Sequence, residues 1–263
     1  MKKYLRIIWL AVVLAFIYVP ILVLAVYSFT DATMVGGVGG FSFSNYINLF
    51  ANEELRNMIF GTVALALVCS AISTVLATMG AIGSYYSKRI PKTLINTANQ
   101  VPVVNADIVT GFSVCILLIV ILRISKDTFI PLGIGHIVLT APFVYLSILP
   151  KLKQMDNSLY EAALDLGATP AQALFKVVIP QLIPGILSGF MLAVTLSLDD
   201  YFVTTYTKPS TFDTISTYVV NATKGSQTEI KTALWALSTI IFIIVIVAVV
   251  LMNVLSDKRR ESK

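Results

Sequence analysis

Ile59–Ser84 reads IFGTVALALVCSAISTVLATMGAIGS, a run of 26 residues without a charged side chain. As an α-helix it would extend about 39 Å at 1.5 Å per residue, enough to cross a hydrocarbon core about 30 Å thick. Five more apolar runs of comparable length occur along the chain: Leu5–Phe29, Val101–Leu122, Ile130–Leu149, Leu182–Phe202 and Ala233–Leu255. Together these runs predict an all-α integral membrane protein with six transmembrane helices.

The composition excludes a soluble globular domain. Hydrophobic residues make up 57% of the 263 positions and charged residues only 13%, whereas soluble domains carry about 25% charged residues. The first span begins with the basic residues of a secretory signal, Lys2 and Lys3, but its apolar run exceeds the ~7–15 residues of a signal core. We therefore expect an uncleaved anchor, and a single transmembrane domain over residues 1–263.

The distribution of basic residues predicts the orientation of the chain. With the N-terminus inside, 13 of the 19 lysines and arginines fall in cytoplasmic segments, which fits the positive-inside rule. Six spans then return the C-terminus to the cytoplasm, and we expect a multi-pass protein of a plasma (inner) membrane. This topology accounts for the net charge of +5, so the charge requires no nucleic-acid partner.

The predicted cytoplasmic loop at residues 150–180 carries helix signals of its own. Ser158 and Glu161 have the spacing of a capping box at a helix start, and Gly167 supplies the residue that favours a left-handed helix stop. Thr169-Pro170 is a second start signal, a capping residue followed by proline at the first helical position. The loop therefore predicts a helix, a glycine elbow and a second helix, which we expect to end at Pro180.

The same loop resembles the EAA loop of ABC importer permeases. The resemblance rests on Glu161-Ala162-Ala163, on Gly167 and on Val177-Val178-Ile179-Pro180, at the spacing of that family. It implies a type I (MetI-like) permease fold whose first short loop helix docks into a cytoplasmic ATPase. The ATPase-coupling residues it implies are Glu161, Ala162, Ala163, Gly167 and Pro180. The alternative is an ordinary amphipathic connecting loop.

Other segments narrow the resemblance to the C-type permeases of spermidine/putrescine importers. These are Tyr18-Val19-Pro20-Ile21, Asp107-Ile108-Val109, Leu196–Asp200 and Pro209-Ser210. The resemblance implies four kinds of partner: membrane lipid, a second related permease, a dimeric cytoplasmic ATPase and an extracytoplasmic polyamine-binding protein. It implies no cofactor in this chain, because the partner ATPase would bind ATP and Mg.

Three acidic residues lie in or at the ends of predicted spans and are candidates for the substrate pathway: Asp107, Asp199 and Asp200. Inserting a carboxylate at the middle of a membrane helix costs ~2.5–3.5 kcal/mol on insertion scales, so such a residue is a candidate functional residue. A polyamine carries spaced ammonium groups, which carboxylates and the rings of Tyr201 and Tyr206 could bind. The alternative is that the aspartates end helices or accept structural hydrogen bonds. Adjacent residues on a helix point about 100° apart, so Asp199 and Asp200 should not both face one path.

The remaining reactive residues predict no catalytic or metal site. His136 is the only histidine, and we expect it to pack or to be hydrogen-bonded within the fourth span rather than to relay protons. Cys69 and Cys115 lie within apolar runs, as buried thiols do. The sequence also lacks a phosphate-binding Gly-rich motif with its Lys, so this chain is not expected to hydrolyse ATP itself.

Three alternatives remain open at this stage. The importer could carry another small solute, such as ferric iron or an anion, although the acidic residues favour a cation. The chain could be a secondary transporter driven by an ion gradient, which would not need the coupling loop. A membrane enzyme is disfavoured because the sequence contains no clustered set of catalytic polar residues.

Overall fold

The computed structural model describes residues 2–32, 37, 39–156, 158–224, 233–243 and 246. Regular structure in these residues is helical, apart from one isolated bridge between Thr30 and Phe41. Two segments are π-helical, Ile116–Ile121 and Leu174–Val178. In chain order the helices are α1 (Lys2–Ser28), α2 (Ser44–Ala51), α3 (Glu53–Tyr86), α4 (Arg89–Val104), α5 (Asp107–Cys115), α6 (Phe129–Gln154), α7 (Ser158–Asp165), α8 (Pro170–Ala173), α9 (Ile179–Asp199), α10 (Phe202–Thr207), α11 (Ile215–Lys224) and α12 (Ala233–Ile243).

Four helical stretches are long and apolar enough to cross a membrane. They are Arg6–Ser28, Glu53–Tyr86, Phe129–Gln154 and Pro170–Asp199. Each contains most of a predicted span, because an apolar run of 20 residues or more forms a helix of membrane-crossing length whatever its neighbours are. The all-α membrane architecture predicted from the sequence is therefore confirmed.

The third predicted span, 101–122, is divided differently in the structure. Its first four residues end α4, while α5 begins only at Asp107, and the two helices are bent by 110°. Asn105 and Ala106 both adopt extended backbone conformations, which breaks the helical ladder between them. The segment before the break, Arg89–Val104, is thus the separate helix α4.

The predicted count of six spans is not confirmed. The bent pair α4–α5 gives a fifth crossing if it is one span, and α12 covers only 11 residues of the sixth predicted span, 233–255. Most of the remainder of that span lies outside the described residues. The fifth predicted span, 182–202, ends earlier than expected at Asp199, and the short helix α10 follows it.

Contacts divide the chain into two compact units, residues 1–57 with 219–263 and residues 58–218. In the first unit, α1 exposes its side chains over residues 6–20, most of them apolar, and α2 is held against the end of α1. The Asn45 amide donates to the carbonyl oxygens of Ser28 and Thr30 at 3.2 and 2.8 Å. These bonds satisfy carbonyls that the end of a helix leaves without a partner.

The second unit is built around the contact between α6 and α9. Gly185 and Gly189 are four residues apart on α9, the small-residue spacing that lets membrane helices approach closely. A Cβ added to Gly189 would lie 3.2 Å from the Cα of Val144. The two backbones therefore pack together with little side chain between them. The buried core comprises Ala77, Ala81, Val144, Tyr145, Ile148, Leu152, Val178, Leu182 and Ala193.

Helix α10 packs on α5 and α6 through two glycines. A Cβ added to Gly111 would lie 2.8 Å from the Cα of Val203, and one added to Gly135 would lie 2.7 Å from its Cγ1. Any larger residue at Gly111 would force the α10 backbone to move. The position of α10 is therefore fixed closely by its neighbours in this unit.

Candidate functional site

The first part of the candidate site is the α7–α8 elbow, the segment from Ser158 to Val178. Gly167 has a φ of +83°, a conformation that costs a residue with a Cβ about 1–2 kcal/mol. The N–H of Gly167 donates to Leu164 O at 2.9 Å and that of Ala168 to Ala163 O at 3.0 Å. This pair of bonds is the Schellman motif. The predicted left-handed stop at Gly167 is confirmed.

The second helix of the elbow starts as predicted. Thr169 accepts from the N–H of Gln172, and the Gln172 side chain accepts in return from the N–H of Thr169. Pro170 occupies the first helical position, where its missing N–H costs nothing. The two short helices therefore have defined ends, and Gly167 sets the turn between them.

The first helix of the elbow is capped differently from the prediction. Ser158 is the first residue of α7 rather than its cap, and its N–H donates to the carboxylate of Asp156 at 2.9 Å. This backbone hydrogen bond, followed by the one from the Ser158 side chain, lowers the pKa of Asp156. At this helix start the Asp156 carboxylate, rather than the Ser158 hydroxyl, accepts a backbone N–H, because an ionised carboxylate accepts more strongly than a hydroxyl. The predicted capping box between Ser158 and Glu161 is wrong.

Pro180 does not end the helical run as expected. It is the second residue of α9, which continues to Asp199. Proline is tolerated in the first turn of a helix, where its missing N–H removes no α-helical hydrogen bond. The residues just before α9, Leu174–Val178, are π-helical, with i→i+5 hydrogen bonds in place of the α-helical ones. Pro180 is exposed and marks the junction between the elbow and the long apolar helix.

The elbow exposes three large apolar side chains and is anchored to the core by a fourth residue, Tyr160. Tyr160 packs against the core and its ring lies 5.4 Å from that of Tyr86. Leu159, Leu166 and Phe175 are exposed, Leu166 to 88% of its surface. Of the coupling residues implied by the resemblance, Glu161 and Ala162 are exposed and Ala163 is half-buried. The sequence alone did not single out the exposed apolar residues or the anchor Tyr160. The aromatic ring of Tyr160 within a short polar helix was a usable signal for the anchor.

The second part of the candidate site is the acidic end of α9. Asp200 is buried, with 7% of its surface exposed. Its carboxylate accepts from the N–H groups of Val203 and Thr204 at 3.2 and 2.7 Å and from the Thr204 hydroxyl at 2.7 Å. These donors belong to the first turn of α10, so Asp200 stabilises the start of that helix.

His136 joins the same network from α6. The fully buried ring lies 2.7 Å from Ser197 Oγ through Nδ1 and 3.0 Å from Thr204 Oγ1 through Nε2. Because the Thr204 hydroxyl donates to Asp200, it accepts from His136 Nε2–H. With Nε2 as the donor, a neutral ring would accept from the Ser197 hydroxyl at Nδ1. The predicted hydrogen-bonded role of His136 is confirmed.

The other pathway candidates are distributed over three helices. Asp199 is exposed at the last position of α9, and Asp107 is exposed at the first position of α5. Tyr201 and Tyr206 are half-buried around α10, and the Tyr206 ring lies 5.6 Å from that of Phe112 on α5. The structure therefore separates the adjacent aspartates: Asp200 is used within the fold, whereas Asp199 faces outward.

Solved structures identify this arrangement as the fold of an ABC transporter membrane domain. A bacterial ABC transporter that imports the acidic polysaccharide alginate matches with a TM-score of 0.68, covering 95% of both chains at 16% identity. An amino acid ABC transporter matches with a TM-score of 0.56, covering 82% of this chain and 96% of the other at 17% identity. At these identities the likeness shows the fold and not the substrate.

The chain belongs to the family of binding-protein-dependent transport system inner membrane components, which it matches over residues 1–262. It is therefore an integral membrane permease component, which is not catalytic by itself. The spermidine/putrescine permease PotC of Haemophilus influenzae is 28% identical over 99% of both chains. The putrescine permease PotI of Escherichia coli is 27% identical over 90% of this chain and 85% of the other.

Proposed function

We propose that this chain forms half of the translocation path of an ABC importer for polyamines, coupled to a separate ATPase through the α7–α8 elbow. The observation that carries the coupling role is the exposed apolar surface of the elbow, Leu159, Leu166 and Phe175. Exposed apolar side chains clustered within a short segment are typical of an interaction site. The Schellman turn at Gly167 and the anchor Tyr160 support a docking element of defined shape.

The proposal includes the partners and the orientation. A second, related permease completes the path, a dimeric ATPase supplies the ATP and Mg sites, and an external binding protein delivers the substrate. Both termini and the elbow then lie in the cytoplasm. The excess of basic residues on the predicted inner segments supports this orientation.

The polyamine substrate is supported by the relatives and by side-chain chemistry. The relatives named above carry spermidine and putrescine in their names. Asp199 and Asp107 offer exposed carboxylates, and Tyr201 and Tyr206 lie near the first of them in the chain. Carboxylates and aromatic faces bind ammonium groups, whereas an anionic substrate would be repelled.

A single cysteine at position 166 tests the coupling role together with the orientation. In a background lacking Cys69 and Cys115, we expect Leu166→Cys to cross-link to the ATPase in intact cells, because the native side chain is the most exposed one on the elbow. Lys126→Cys is the matched control: it is also exposed, but lies on the predicted external side. Cross-linking at position 126 instead of position 166 would reverse both assignments.

Uptake by the complete transporter tests the substrate. We expect cells that express this chain with its ATPase, second permease and binding protein to accumulate labelled spermidine or putrescine, and ATP depletion to stop that uptake. The complex should also co-purify in detergent. Accumulation of ferric iron or an anion instead would overturn the substrate alone. Uptake by the isolated chain on an ion gradient would overturn the importer class.

A further inference from the structure

Helix α2 has two sharply different faces. Asn45 and Leu49 are buried, while Ile47 and Phe50 are exposed to 65% and 59% of their surface. Phe43, just before the helix, is also exposed. Positions 43, 47 and 50 share one face because residues three and four apart are neighbours on a helix. This exposed face, Phe43, Ile47 and Phe50, is called the α2 apolar face below.

We propose that α2 lies in the membrane–water interface, with its apolar face embedded at the level of the lipid headgroups and upper acyl chains. The inference goes beyond the proposed transport function and does not depend on the substrate. It concerns how the first unit is anchored in the bilayer.

The depth of α2 is fixed at its N-terminal side by the end of α1. Asn45 donates to the Thr30 carbonyl at 2.8 Å, and the hydroxyls of Ser28 and Tyr46 are 2.9 Å apart. Since α1 ends at Ser28, these bonds hold α2 at the level where the apolar span finishes. The α2 apolar face therefore cannot project far into water.

The C-terminal side of α2 is equally close to a span. Asn52 alone separates α2 from α3, and its side chain accepts from the N–H groups of Glu54 and Leu55 at 2.9 and 3.2 Å. Asn52 thus caps α3 directly after α2 ends. A helix fixed between two apolar helices in this way lies along the membrane surface rather than away from it.

The composition of the segment identifies lipid as the occupant. Residues 32–52 contain no charged side chain, whereas Asp31 and Glu53 flank the segment on both sides. Aromatic rings are concentrated where polypeptides cross the headgroup region, and an amphipathic helix beside a span buries its apolar face there. Phe29, Phe41 and Phe43 form such a cluster, with ring centroids 5.1–6.2 Å apart.

The α2 apolar face follows exposed apolar side chains near the end of α1. Val26, in the last turn of α1, is exposed, and α1 is the most apolar of the membrane-crossing helices. The aromatic cluster of Phe29, Phe41 and Phe43 links the end of this span to the start of α2.

Spin labels on α2 test the proposal in the complete complex. In a background with Cys69→Ala and Cys115→Ala, single cysteines at Ile47, Phe50 and Asn48 are labelled, and the complex is reconstituted in vesicles of phosphatidylethanolamine and phosphatidylglycerol. Asn48 is the matched control, because it is exposed on the same helix but points about 100° away from Ile47. We expect the ratio of collisions with oxygen to collisions with a water-soluble nickel chelate to be several-fold higher at positions 47 and 50 than at position 48.

Two outcomes would overturn the proposal. Equal ratios at all three positions, with rapid nickel collisions, would mean that the α2 apolar face is in water. Slow collisions with both reagents at positions 47 and 50 would mean that protein covers it. Phe50→Trp, which exchanges one aromatic ring for another, provides a second readout when Trp9 and Trp235 are replaced by Phe. The fluorescence gained over the same complex with Phe50 should be quenched by lipids brominated near the headgroup, and a gain that is not quenched would contradict an interfacial position.

Discussion

Gly167→Val is expected to abolish substrate uptake while the protein remains in the membrane at its normal level. The backbone at Gly167 has a φ of +83°, and a β-branched residue there is strained by about 1–2 kcal/mol or more. The Schellman bonds of Gly167 and Ala168 would then break or shift, and α7 would turn away from its position. Uptake of labelled substrate and the amount of membrane protein measure the two halves of this expectation.

The expected loss of uptake in Gly167→Val does not come from a steric clash. A Cβ added to Gly167 meets no atom within 4 Å, so the expected defect comes only from the backbone conformation. Gly167→Asn is therefore the matched control, because asparagine adopts the left-handed region more readily than other residues with a Cβ. We expect this variant to retain most of the uptake. Normal uptake by Gly167→Val would show that the elbow need not be held in this conformation.

The sequence was sufficient wherever a feature depends on local chemistry. Four apolar runs became helices of membrane-crossing length because their hydrophobicity and length decide the outcome within the segment itself. Gly167 and Thr169-Pro170 were likewise correctly assigned, since glycine and proline act through their own backbone preferences. These residues defined the elbow before any contact between helices was known.

The sequence was insufficient where residues far apart in the chain meet. Asp200 and Asp199 are indistinguishable as adjacent carboxylates, and only the folded chain brings His136, 64 positions earlier, to the network of Asp200. The break between α4 and α5 was missed because Val101–Val104 are as apolar as the span they precede. Their separation depends on the extended conformations of Asn105 and Ala106, which hydrophobic periodicity does not register.

Substitutions of the two adjacent aspartates are expected to have different effects: Asp200 affects assembly, and Asp199 affects transport. Asp200→Asn replaces a carboxylate oxygen that accepts hydrogen bonds with an amide group that donates them, facing the donors of Val203 and Thr204. Leaving such a buried donor unsatisfied costs about 1–3 kcal/mol. We therefore expect less assembled complex and a lower unfolding temperature. Asp200→Glu, which keeps the charge but moves it, should be impaired as well, because Thr204 fixes the carboxylate position.

Asp199→Asn is expected to leave the amount of complex and its basal ATP hydrolysis unchanged but to slow polyamine uptake about tenfold, the factor for ~1.4 kcal/mol of lost attraction to an ammonium group. Its side chain is exposed at the end of α9 and has no part in the Asp200 network. Uptake, complex abundance and ATPase activity should be measured in parallel for both variants. If Asp199→Asn transports normally, the exposed carboxylate only ends a helix. If it instead prevents assembly, Asp199 contacts a partner chain, and the polyamine assignment loses its main support within this sequence.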